Sequence, residues 1–183
     1  IYTDLDLLYR HSRSLLGFVL PEFVALEDLK LPGMSDHAMP LIRHVLASTR
    51  KIQALIRKER ENFQDIQILH QRAQREFGPM AAGIVGLNDS QIEALEELVD
   101  RLRGNPDLFD ALIKSFVFRD IGLIPDLIEK YAGDFSPADH ARAGAYFLEK
   151  EGIPSRYRTT EKSEKYLLFL VSYHDFLHRT VRG

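Results

Sequence analysis

Apolar residues recur at three- and four-residue spacing along nearly the whole chain, the period of an amphipathic helix. Sustained alternation of apolar and polar positions, which would mark half-buried strands, is missing from the sequence. Leu5, Leu8, Tyr9, Leu15 and Leu16 form a first stripe and predict a helical segment from about Asp4 to Val19. Pro21 is expected to start a short helix to Leu29, with Leu31-Pro-Gly-Met-Ser35 as a loop. From Pro40 a long stripe runs through Leu41, Val45, Leu46, Ile52, Leu55 and Ile56. Arg57 to Phe77 is mostly charged or amide, which predicts a solvent-exposed continuation of that helix, stopped by Gly78-Pro79.

Capping residues punctuate the second half. Ser90 and Glu93 have the spacing of a capping box, opening a helix through Ile92, Leu95, Leu98, Val99 and Leu102 that Gly104 closes. Asn105-Pro106 joins a cap to a proline at the first helical position, and the helix it opens carries Leu108, Ala111, Leu112, Phe116 and Val117 up to Arg119-Asp120. Ile124-Pro125 starts a short helix to about Tyr131. Ser136-Pro137 starts one that contains His140, Gly144, Phe147 and Leu148 and ends at Gly152-Ile-Pro154. Thr160 caps the last, roughly Glu161 to Arg179. The expectation is an all-α fold: a single domain over 1–183, built as a bundle of about seven or eight helices, without repeats or low-complexity tracts.

Composition narrows the function classes. A chain of 183 residues with 45% hydrophobic and 28% charged residues has the balance of an ordinary soluble domain, large enough to bury a core. A net charge of -3 and a pI near 6.2 give no electrostatic reason to expect nucleic-acid binding. The longest apolar run, Tyr166 to Val171, is far short of a membrane span. With no cysteine, disulfides and thiolate metal sites are excluded, and a cytoplasmic setting is expected. The chain opens on Ile1 rather than Met, which suggests a fragment of a longer protein whose other domains would be its partners.

Candidate chemistry rests on histidines and one Arg-Asp doublet. His140 and Gly144 are four apart, on one helical face, where a glycine lets a neighbouring backbone approach beside the imidazole. Each candidate also has a structural reading. His44 is a histidine at the edge of an apolar face, Asp120 a cap for the helix after it, and His140 a polar first-turn residue beside Asp139. Arg119 is a cation at a helix C-terminus, favoured there by the helix dipole. His174 and His178 have the i, i+4 spacing of a shared metal ligand pair, for which the sequence offers only Asp175 as a nearby third group. His11, His37 and His70 read as surface residues.

Ser115-Phe-Val-Phe-Arg119-Asp120-Ile-Gly122-Leu, followed by Asp139-His140-Ala-Arg-Ala-Gly144, resembles the centre of an HD-type metal-dependent phosphohydrolase domain, in which a helix ends in His-Asp-Ile-Gly. The resemblance covers roughly Val19 to His178 and is greatest to HD domains attached to nucleotidyltransferases, such as the bifunctional uridylyltransferases. Leu20-Pro-Glu-Phe-Val-Ala-Leu resembles the segment leading into the first core helix, and Leu170-Val171-Ser-Tyr-His174 a later stretch with an aliphatic pair before a histidine. The resemblance implies a divalent metal (Mn, Fe, Zn or Mg) on His44, Asp120, His140 and His174, with Asp120 as the catalytic group. His37 is a rival to His44 for the first ligand position. A terminal aspartate ligand falls on Asp175 or beyond Gly183.

The chain departs from the family at Arg119. A guanidinium is permanently charged and has no lone pair to give a metal, so this residue cannot replace the doublet histidine as a ligand. It brings positive charge to a cation site, and is suited instead to pairing with Asp120 or with a bound anion. Three functions follow. The first is a degenerate HD domain, a non-catalytic regulatory or sensing module that binds a nucleotide or another anion through Arg119, His140 and His174. The second is an active metal-dependent phosphohydrolase. The third is a structural helical interaction domain in which the histidines are incidental.

Overall fold

Caps and prolines set most of the helix starts. In the computed structural model, residues 5–29, 40–64, 87–131, 133–135 and 139–182 are described, without the side chains of 64 and 177–182. Among them are eleven α-helices, one 3-10 turn and no strand. The helices are α1 (Leu5–His11), α2 (Arg13–Val19), α3 (Pro21–Val24), α4 (Leu41–Ile56), α5 (Glu61–Gln64), α6 (Asp89–Arg103), α7 (Pro106–Phe118), α8 (Pro125–Lys130), α9 (His140–Lys150), α10 (Ile153–Arg156) and α11 (Glu161–Arg182). The 3-10 turn, Ile121–Leu123, lies between α7 and α8. Asn105 caps α7 by accepting from the Leu108 amide, and the Thr160 hydroxyl accepts from the Ser163 amide at the head of α11.

The all-α class is as the spacing predicts, but eleven helices exceed the expected seven or eight. Breaks too short to interrupt an apolar stripe account for the difference. Ser12, at φ -147, splits the first segment into α1 and α2. Lys58, at φ 59, ends α4 in the left-handed region, so the expected exposed continuation does not form there; its remainder past residue 64 lies outside the described residues. Gly152, at φ 60, turns the chain directly into the additional helix α10. The capping box of α6 is also displaced. It is formed by Asn88 and Gln91, not by Ser90 and Glu93. Likewise Asp139 caps α9, by accepting from the Arg142 amide, whereas residues 136–138 of the expected Ser-Pro start are not described.

Three helices make the centre. α11 packs along both α7 and α9, the 3-10 turn lies on α9, and α4 rests against α7 with α6 beside both. The core joins Phe23, Leu41, Val45, Phe118, Leu148, Leu167 and Val171, all buried, from elements far apart in sequence. Each such side chain contributes about 1.5–3 kcal/mol relative to exposure. No helix among the described residues is long and apolar enough to cross a membrane.

Buried polar groups tie the same helices together. Lys114, 3% exposed, directs its ammonium to Asp110 Oδ2 at 2.7 Å, Thr159 Oγ1 at 2.9 Å and the Tyr157 carbonyl at 3.3 Å. Ser163 donates to the same Asp110 oxygen at 2.7 Å, so the start of α11 is bound to α7. All three ammonium protons therefore have acceptors, which offsets the cost of burying the charge. The Tyr157 hydroxyl lies 2.9 Å from the Val19 carbonyl and 3.1 Å from Glu22, between two acceptors. Burial and the Glu22 charge push its ionisation upward, which keeps it a donor.

Candidate metal and anion site

The site is assembled by two glycines. A Cβ built on Gly122 would lie 1.9 Å from the His140 carbonyl oxygen and 2.6 Å from the Gly144 nitrogen. The backbone after α7 therefore lies directly on the first turn of α9, at a separation that only a residue without a side chain permits. Gly144 is packed from the other side: its Cβ would meet Gly122 N, Ile121 Cγ2 and Val171 Cγ1, each at 3.3 Å. The Asp-Ile-Gly and His-x-x-x-Gly patterns are thus two halves of one contact. Because Asp120 sits two residues before the first glycine and His140 four before the second, the contact places their side chains together.

Asp120, His140 and His174 each present a ligand atom, and the three atoms lie within 4.8 Å of one another. Asp120 is 3% exposed, and the two imidazoles are partly buried with their rings edge-on, 5.1 Å between centroids. Asp120 does not cap the 3-10 turn that follows it, so its carboxylate is left to the cluster. His174 Nδ1 is 2.7 Å from the Val171 carbonyl. The carbonyl can only accept, so Nδ1 carries the proton and Nε2 is the nitrogen turned to the site, 3.9 Å from Asp120 Oδ1. That arrangement orients the imidazole as a metal ligand. Asp175 closes the outer side, its oxygens 3.4 Å from His140 Nε2 and 3.4 Å from His174 Nε2.

Arg119 is not a solvated helix-end cation. Its Nε donates to Asp120 Oδ2 at 3.1 Å and its Nη2 to Ser48 Oγ at 3.0 Å, and the Ser48 hydroxyl in turn donates to the His44 carbonyl at 3.0 Å. Asp120 is therefore shared. One oxygen faces His174 and the other holds a guanidinium.

No protein-family model matches this chain, nor does any curated protein or solved structure.

The candidate residues read from the sequence fall into three groups. Asp120, His140 and His174 converge, with Arg119 at their edge. His44 is not a member of the ligand group. It lies on α4 one turn before Ser48, whose hydroxyl donates to its backbone carbonyl. His37 and His70 lie outside the described residues, as does the side chain of His178. His11 is exposed, as expected of a surface residue. Ser48 is the residue that sequence reading missed. Its one signal is the four-residue spacing from His44, which shows only that the two share a helical face.

The donor set fits a divalent ion. Two imidazole nitrogens with one or two carboxylates suit Mn, Fe or Zn, and suit Mg less well, since Mg favours oxygen ligands. Asp120, His140 and His174 would hold the ion, with Asp175 within reach. Counting carboxylates as charged and imidazoles as neutral, Arg119, Asp120 and Asp175 sum to one negative charge, which a cation compensates.

Proposed function

We propose that this chain is an HD-like ligand-sensing domain that binds one divalent cation and, beside it, a phosphate-bearing anion, without hydrolysing it. The observation that supports the reading is the division of Asp120: Oδ1 faces the imidazole of His174, while Oδ2 accepts from Arg119. A carboxylate committed to a guanidinium on one side can serve one metal on the other, but is not available to bridge two. A bound divalent ion would neutralise phosphate oxygens. Around it, His140 and His174 fix position and Arg119 contributes a planar donor that matches phosphate. A nucleotide is one ligand of this class.

The second reading, a working phosphohydrolase, draws on the same three ligand groups remaining together despite the Arg in the doublet. One experiment separates the two. Protein purified without chelator is expected to carry one equivalent of Mn, Fe or Zn by elemental analysis, and Asp120→Asn to carry none. The metal-loaded protein is expected to leave phosphomonoesters and phosphodiesters intact. Turnover that disappears in Asp120→Asn would establish the hydrolase instead. Absence of metal from the native protein, even after addition of Mn or Zn, would remove both readings and leave a structural helical domain.

A further inference from the structure

We infer that Ser48 is a positioning residue that holds Arg119 as an anion clamp beside the cation site. The inference rests on the cation-and-anion reading above and names the residue that makes the anion half of it work. Ser48 has one hydroxyl proton, and it is spent on the His44 carbonyl one turn earlier on α4. Its oxygen lone pairs are thereby turned outward, and one accepts from Arg119 Nη2 at 3.0 Å. Arg119 follows directly on α7, so the hydrogen bond joins α4 to the end of α7.

The guanidinium is held at two points, Nε on Asp120 and Nη2 on Ser48. A guanidinium has five N–H donors in one plane. With two directed to protein, the remaining donors serve a ligand, and the side chain is 19% exposed, so an anion can reach them. Without Ser48 the Asp120 contact alone would leave the plane free to rotate about Nε. The clamp would then lose its fixed direction, though not its charge.

Charge makes the two halves cooperative. The one net negative charge counted over Arg119, Asp120 and Asp175 becomes one positive charge when a divalent cation binds. A phosphate monoester dianion then meets a metal and a guanidinium on either side of a single carboxylate. The cation should therefore strengthen phosphate binding, and by linkage phosphate should strengthen cation binding by the same factor. A neutral ester or a sugar has no such advantage, and a terminal phosphate group, with two negative charges, gains more than a singly charged anion.

The test measures Mn²⁺ and inorganic phosphate binding by titration calorimetry on the full chain, in wild-type, Ser48→Ala and Ser48→Thr proteins. The expected wild-type result is one Mn²⁺ per chain and phosphate affinity that rises when Mn²⁺ is present. Ser48→Ala should keep its one Mn²⁺ at nearly unchanged affinity and lose about tenfold in phosphate affinity, the size of the cost of ordering one long side chain on binding. Ser48→Thr, which restores the hydroxyl, should recover most of that loss; a purely structural effect of the substitution on α4 would instead weaken Mn²⁺ and phosphate together. Ser48→Ala binding phosphate as tightly as wild type would overturn the inference while leaving the cation site standing. A wild-type chain that binds no Mn²⁺ would overturn the underlying reading first, and this one with it.

Discussion

A methyl group on Gly122 has no room. Its nearest neighbours would be backbone atoms of His140 and Gly144, which belong to a helix and cannot move aside as a flexible side chain would. Gly144 is in a different position, since its three contacts at 3.3 Å include the side chains of Ile121 and Val171, which can give by a few tenths of an ångström. Gly122→Ala is therefore expected to cost about 3 kcal/mol, at the upper end of overpacking penalties, and Gly144→Ala clearly less. Urea unfolding of both variants checks this, and equal losses would contradict the asymmetry. At this scale Asp120 and His140 owe their proximity to an atom that is absent.

At the scale of elements, buried Leu5 and Leu16 anchor the two N-terminal helices in the core, and polar contacts to Glu27 add to that. Tyr9 on α1 donates to Glu27 Oε1 at 2.8 Å, and Arg13 on α2 donates to Glu27 Oε2. These hydrogen bonds, Arg13's first and Tyr9's second, draw the Glu27 carboxyl below its ordinary 4.5. A carboxyl lowered in the folded state contributes stability above its unfolded value and loses it as pH falls through the folded one. Glu27→Gln should therefore be less stable than wild type at pH 7. The gap should narrow as pH falls below about 4.5 and close once Glu27 is protonated. Urea midpoints from pH 7 to pH 3 measure it, and a gap that is constant with pH would show that the carboxylate charge is not what stabilises. The effect is small, because Arg13 is 60% exposed and well screened.

The site belongs to the whole molecule, since its groups come from α4, the end of α7, α9 and α11. A cation held by Asp120, His140 and His174 favours the folded chain, because the unfolded chain does not keep these ligands together. At a free concentration one hundred times its dissociation constant the added stability is about 2.7 kcal/mol. For a chain of this size the melting temperature should rise by roughly 5–10 °C. Asp120→Asn should not respond. Calorimetric melts with Mn²⁺ or Zn²⁺, against a chelator control, make the comparison, and a variant that rises as much as wild type would place the metal elsewhere.

Helical class and most helix starts were legible along the chain because they depend on near neighbours: an apolar period, an Asn-Pro pair, a threonine cap. The two glycine patterns were legible too, as a doublet followed by Ile-Gly and as His-x-x-x-Gly. What their spacing could not show is that each glycine was there for the other, since that contact joins residues more than twenty positions apart. The same limit applies at Ser48, 71 positions from Arg119, whose role depends on where α4 crosses α7. It also explains His44, which shares its helical face with Ser48 and gives it a backbone carbonyl, but lies outside the ligand group. Local chemistry determined which helices form; packing of α7, α9 and α11 around one core decided which polar side chains face each other, because only folding brings distant positions within the few ångströms over which hydrogen bonds and metal ligands act.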